Sequence, residues 1–209
     1  MTARLAPRHR RPAEATGADG NQRLTAMTGV ILLLGFAVEG FTVLQVHRLL
    51  WLHFALGLLL IGPVTLKICS TCYRFIRYYT GAAAYVRKGP PAPLLRVLGP
   101  LVILTSVAVL GTGVILALAG PGGGGPWLFL HKASFILWFG VMTIHVLNYA
   151  PRLPRMLSWR AAEQPRAPAA TTFTVPGGAI RWLLLAVSLA AGFGIAAITM
   201  QMSTGWGLS

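Results

Sequence analysis

The sequence predicts an all-α membrane protein with five transmembrane helices, and three observations carry that prediction. Hydrophobic residues make up 55% of the 209-residue chain and charged residues only 11%, whereas a soluble domain is about a quarter charged. Five mainly apolar runs reach the roughly 20 residues needed to cross a bilayer: Leu24–Gln45, Leu50–Tyr73, Leu94–Ala119, Leu128–Tyr149 and Ala179–Met200. The basic residues gather in particular connections instead of being spread along the chain.

Taken in order, residues 1–23 are polar and Arg-rich with Pro and Gly, the composition of a disordered tail. Span one follows. It is too long for the apolar core of a signal peptide, carries Glu39 and ends in Leu44-Gln45-Val46-His47 without a small-residue cleavage site. Span two contains Pro63, which removes one backbone donor and predicts a kink. Near its end lie Cys69 and Cys72, read as small packing residues and not as a disulfide. The connection 81–93 holds Gly89-Pro90-Pro91 and predicts a structured interfacial loop, with Tyr78, Tyr79 and Tyr85 near the headgroups. Span three carries Gly111-Thr112-Gly113, and a glycine-rich turn, 120–126, leads past Trp127 into span four. Spans one to four thus make one domain, residues 24–150. A Pro- and Ala-rich linker, 151–178, separates it from a fifth span, 179–200, and a short tail, 201–209.

The formal charge of +14 is a matter of topology. Arg4, Arg8, Arg10, Arg11 and Arg23 precede span one; Arg74, Arg77, Arg87, Lys88 and Arg96 flank the second connection; Arg152, Arg155, Arg160, Arg166 and Arg181 flank the fourth. Lys and Arg accumulate on the cytoplasmic side, so the N-terminus is expected inside and the C-terminus outside. Spans two and four then both run from outside to inside. The same charge suits anionic lipid, not nucleic acid.

Histidine within a span is costly and marks a functional site facing the bundle interior. His131 and His145 are 14 residues apart, nearly four whole turns and about 21 Å of rise, so they share a face at two depths. One helix can thereby offer an axial imidazole to a haem at each level. His53 lies at the depth of His131 on a span of the same direction and is its expected partner; His47, at the end of span one, is the alternative. Gly57, Gly111 and Gly113 fall in the same outer half, where small residues admit a flat macrocycle or a close helix. Arg48 and Lys132 are placed to meet its propionates. At the inner level the position 14 residues after His53 is Lys67, so His145 lacks a matching histidine. It is the candidate for a second haem or for a hydrogen-bonded role. Glu39, about 10 Å below the outer surface at about 1.5 Å per residue, is expected to hydrogen-bond a neighbour such as His53 or Thr42, or to relay protons. No nucleophile triad, phosphate loop, zinc spacing or paired carboxylates occur.

The string Glu39-Gly40-Phe41-Thr42, His53 with Gly57, Pro63 and Lys67, Ser70 to Gly81, Lys88-Gly89-Pro90-Pro91, His131 to Phe135 and His145-Val146-Leu147 resembles actinobacterial membrane proteins of the cytochrome b561 and DUF4405 b-cytochrome type. The resemblance covers about half the chain. It implies a four-helix transmembrane haem-binding bundle with a fifth helix appended, haem b ligated by His53 and His131, and His145 as a further ligand if two haems are bound. It also implies a place in the bacterial inner membrane and a molybdopterin oxidoreductase or quinone as redox partner.

The expected function is that of an electron-transfer subunit, not a stand-alone enzyme. The competing expectation is a haem-free transporter, channel or assembly factor with a polar file through Glu39, Lys67 and His145. The first predicts that His53 and His131 face each other with ring nitrogens about 4 Å apart; the second predicts that the polar file joins Glu39, Lys67 and His145.

Overall fold

A computed structural model describes residues 12–90, 93–149, 177–202 and 206, with only the backbone described at 12–16, 123 and 202. It is all-helical, and five of its helices are long and apolar enough to cross a membrane. They are α1 (Pro12–Leu44), α2 (Val46–Tyr79), α4 (Pro93–Gly123), α5 (Gly125–Tyr149) and α6 (Gly178–Met202); a single short turn of helix, α3 (Ala83–Val86), lies between α2 and α4.

Helix α1 starts at Pro12, not at the apolar boundary near Leu24. Proline suits the first helical position because its missing N–H would be unpaired there anyway. The polar first turns are then tied down by side chains: Asn21 donates to the Ser70 carbonyl at 3.0 Å, and Lys88 reaches both Asp19 and Gln22. The expected disordered tail therefore gives way to helix over its second half; residues 1–11 lie outside the described region, as does the predicted linker between 150 and 176. Only Gln45 separates α1 from α2.

Non-helical backbone angles within α2 fall at Leu49 (φ −115°, ψ 23°), and Pro63, where a kink was expected, lies inside the helix. Pro63 is buried in continuous helix because α6 packs tightly behind it. A Cβ on Gly62 would overlap the Ser188 carbonyl, and one on Gly192 would overlap the Leu59 carbonyl. Leu59 is four residues before Pro63, so its oxygen has no intrahelical donor, and the glycine backbone of α6 fits against it. Helix α4 breaks at Gly120, whose φ of +70° suits a residue without Cβ, and Pro121 follows. The turn into α5 is thus tighter than the predicted loop 120–126.

Packing divides the helices into two groups. α2 packs extensively on α6 and on α1, and α4 packs extensively on α5; the two groups meet through thinner α2–α4 and α4–α6 contacts. Helix α5 packs extensively on α4 and meets α1 and α2 through side chains, Trp138 on Phe36 and His131 on His53. Helix α6 therefore packs with the α1–α2 group.

Candidate functional site

Helical periodicity lines up His53, Gly57, Leu60, Val64 and Lys67 on one face of α2, and Glu39, Phe36, Leu32, Gly29 and Thr25 on one face of α1. Along α5 the corresponding stripe is His131, Ser134, Trp138 and His145. The stripes form an outer polar level, an apolar middle and an inner polar level.

At the outer level the His53 and His131 rings meet edge to face, with centroids 6.3 Å apart and planes at 68°. Each ring is fixed through Nδ1. His53 Nδ1 lies 2.9 Å from Glu39 Oε1 and 3.1 Å from Thr42 Oγ1. The Thr42 hydroxyl donates to the Glu39 carbonyl at 2.6 Å, so toward His53 it can only accept. His131 Nδ1 lies 3.1 Å from the Val109 carbonyl and 3.3 Å from Thr112 Oγ1. A carbonyl can only accept, and the Thr112 hydroxyl is committed as donor to Ala108 at 2.7 Å. Both rings consequently carry their proton on Nδ1 and keep the Nε2 lone pair bare. Among the described residues no hydrogen bond engages Nε2 of either ring.

Two glycines make room for this arrangement. A Cβ on Gly57 would stand 3.2 Å from Glu39 Oε1, and one on Gly113 would stand 3.1 Å from His131 Cε1. Gly111, by contrast, is exposed with open space beside it. His47, Arg48 and Lys132 are also exposed. The structure therefore brings together His53, His131, Gly57 and Gly113 from the sequence reading, and leaves His47, Gly111, Arg48 and Lys132 at its periphery.

Sequence reasoning missed Thr112 and the Val109 carbonyl as partners of His131. It also missed Trp206, which packs on Phe54 at a centroid distance of 5.7 Å and donates from Nε1 to the Ala117 carbonyl at 3.1 Å. The position of Thr112 between Gly111 and Gly113 was the available signal for the first; nothing in the sequence signalled the others.

The middle level is apolar. Leu32, Leu60 and Val64 are buried together, with Phe36, Ile68 and Leu110 against them. Phe36 meets Trp138 at 4.8 Å between centroids, and Trp138 Nε1 is satisfied by Ser106 Oγ at 3.0 Å. Below it, the Lys67 ammonium donates to the Thr25 carbonyl on α1, in space that Gly29 leaves free. Thr25 Oγ1 and Ser70 Oγ pair at 3.0 Å. His145 lies within electrostatic range of Lys67, and its buried Nδ1 has no hydrogen-bond partner among the described residues. Unlike the outer histidines, Lys67 is turned toward α1 and not across to α5.

Among the described residues no three His, Cys, Asp or Glu side chains are grouped to hold a bare metal ion. Two imidazoles from different helices are donors of the kind that haem iron takes, and His53 and His131 are the residues here that would hold such a group. Cys69 and Cys72 are both free, and Cys69 is exposed on α2. Set against protein-family models, curated protein sequences and solved structures, the chain matches none of them.

Proposed function

We propose that the protein is a membrane b-type cytochrome that passes single electrons through one haem b held between α2 and α5 by His53 and His131. The observation that carries this reading is the pair of imidazoles that α2 and α5 bring within 6.3 Å between ring centroids, each bonded through Nδ1 and with no hydrogen bond at Nε2 among the described residues. When bound, haem supplies a one-electron couple whose potential responds to axial ligands, burial and hydrogen bonding. The chain's own residues do the rest. Glu39 and Thr42 orient His53, the Val109 carbonyl and Thr112 orient His131, Gly57 and Gly113 leave the close approach open, and the apolar middle keeps water from below. With both axial positions taken by histidine, substrate chemistry belongs to a partner, an oxidoreductase domain or a quinone.

In this reading α1, α2, α4 and α5 form the haem-binding bundle of the cytochrome b561 and DUF4405 type. The protein sits in a bacterial inner membrane with its N-terminus cytoplasmic. One haem is favoured over two, because Lys67 bonds to Thr25 and is not presented opposite His145.

The test is the dithionite-reduced minus oxidised absorption spectrum of the purified full-length protein, with pyridine haemochrome quantification per chain. A b-type α-band at one haem per chain is expected, lost in His53→Ala and in His131→Ala and retained in His47→Ala. No band from haem-replete cells would overturn the reading and favour the transporter class.

A further inference from the structure

We infer that Trp206 is a positioning residue, which clasps α4 to α2 at the outer level and so sets the distance between His53 and His131. The inference builds on the proposed haem site, but its geometry stands without haem.

His53 belongs to the α1–α2–α6 group and His131 to the α4–α5 pair. Their separation is therefore only as well defined as the joint between the groups, and that joint is thin at α2–α4 and α4–α6. Within one membrane, burial against a neighbouring helix gives little hydrophobic driving force, since lipid tails are equally apolar. Specific contacts must hold the groups in register.

Trp206 makes two such contacts at the right depth. Its ring packs on Phe54, the residue after His53. Its indole N–H donates to the Ala117 carbonyl on α4, one turn beyond Gly113. That carbonyl has no helical donor of its own, because residue 121 is proline and Gly120 has left the helix. An unpaired carbonyl in hydrocarbon is costly, so the indole supplies a bond that the helix cannot. Gly113 in turn cushions the His131 ring. The chain of contact runs from His53 through Phe54, Trp206 and the end of α4 to His131.

The test uses the full-length protein in nanodiscs, with Cys69 and Cys72 replaced by Ser and spin labels at Trp51→Cys on α2 and Phe129→Cys on α5. Both label sites are exposed. Trp206→Ala is expected to broaden the interlabel distance distribution. It should also weaken haem retention about tenfold, through loss of one hydrogen bond and one aromatic contact. Trp206→Phe keeps the ring and loses the N–H, and should fall between, at about fivefold. The g-values of the ferric haem should shift in both variants, as the imidazoles rotate relative to one another.

Distance distributions and g-values identical to the parent in both variants would overturn the inference while leaving the haem reading intact. A parent protein that binds no haem, yet whose label distances broaden in Trp206→Ala, would sink the haem reading and leave the clasp standing. If Trp206→Ala does not accumulate, Trp206→Phe decides.

Discussion

Each imidazole of the outer pair has its tautomer decided by atoms that can only accept, and this makes Glu39 the residue with the largest expected leverage on the site. A carboxylate on Nδ1 makes the imidazole a stronger donor through Nε2 and favours the more positive oxidation state of the metal it holds. Glu39→Gln keeps an acceptor oxygen but removes the charge. In the proposed cytochrome the midpoint potential is expected to rise by some tens of millivolts, where about 59 mV corresponds to a tenfold change in a one-electron equilibrium; a redox titration that finds the parent value would show that Glu39 is electrically silent. Gly57→Ala acts on the same contact from behind. Its Cβ, 3.2 Å from Glu39 Oε1, forces the carboxylate off Nδ1 by a few tenths of an ångström, so the potential should move the same way by less. The meeting of His53 and His131 was legible in the sequence, because matched depth on two helices survives translation into three dimensions. So was the bonding of Glu39 to His53 and Thr42. The partners of His131 were not, since a backbone carbonyl leaves no letter in a sequence.

Among the helices, the boundaries set by hydropathy were legible and those set by polar contacts were not. The five apolar spans could be read because roughly 20 residues of hydrocarbon-compatible sequence have few other uses. The three extra turns at the start of α1 depend on Asp19, Gln22 and Asn21 finding Lys88 and Ser70 across the fold. The docking of α6 on α2 likewise rests on the shape of a pair of glycines. Gly192→Ala would drive a methyl group into the Leu59 carbonyl, and overpacking of this kind costs about 1–3 kcal/mol. Gly194 has open space for 4 Å around the place a methyl group would take, and should accept Ala without loss; thermal unfolding in detergent compares the two, and equal midpoints would argue against the α2–α6 contact. The short helix α3 has its own reporter. Tyr85 is 6% exposed and packs on Tyr73 at 6.0 Å. Burial, then the neighbouring Tyr73, push its phenol above the ordinary value near 10, while Arg77 and Arg74 oppose the rise. The folded protein therefore favours the neutral phenol, and the stability this contributes is fully present below about pH 10 and lost as pH rises through the raised value. Ultraviolet titration of Tyr85→Phe should lack the last tyrosine to ionise; an unchanged upper limb would place that tyrosine elsewhere.

For the molecule as a whole, what separates electron transfer from ion transport is the layer between the two polar levels. A file for protons or ions would need polar side chains or water joining Glu39 to Lys67 and His145. Instead Leu32, Leu60 and Val64 are buried together at mid-depth, backed by Phe36, Ile68 and Leu110, and Phe36 closes on Trp138. The indole N–H of Trp138 in that layer is already bonded to Ser106. Electrons cross such a layer without a hydrated path, whereas a proton needs an unbroken chain of donors and acceptors. In the proposed cytochrome, a redox change at the His53–His131 level would therefore not be coupled to proton passage through this layer. Proteoliposomes carrying an internal pH dye should accordingly take up protons under a valinomycin-clamped potential no faster than protein-free vesicles. Substituting Lys67→Ala or His145→Ala should leave that rate unchanged. Proton entry above the vesicle background that vanishes in either variant would mean that the apolar layer opens on some timescale, and the inner pair would then be the mouth of a conduction path.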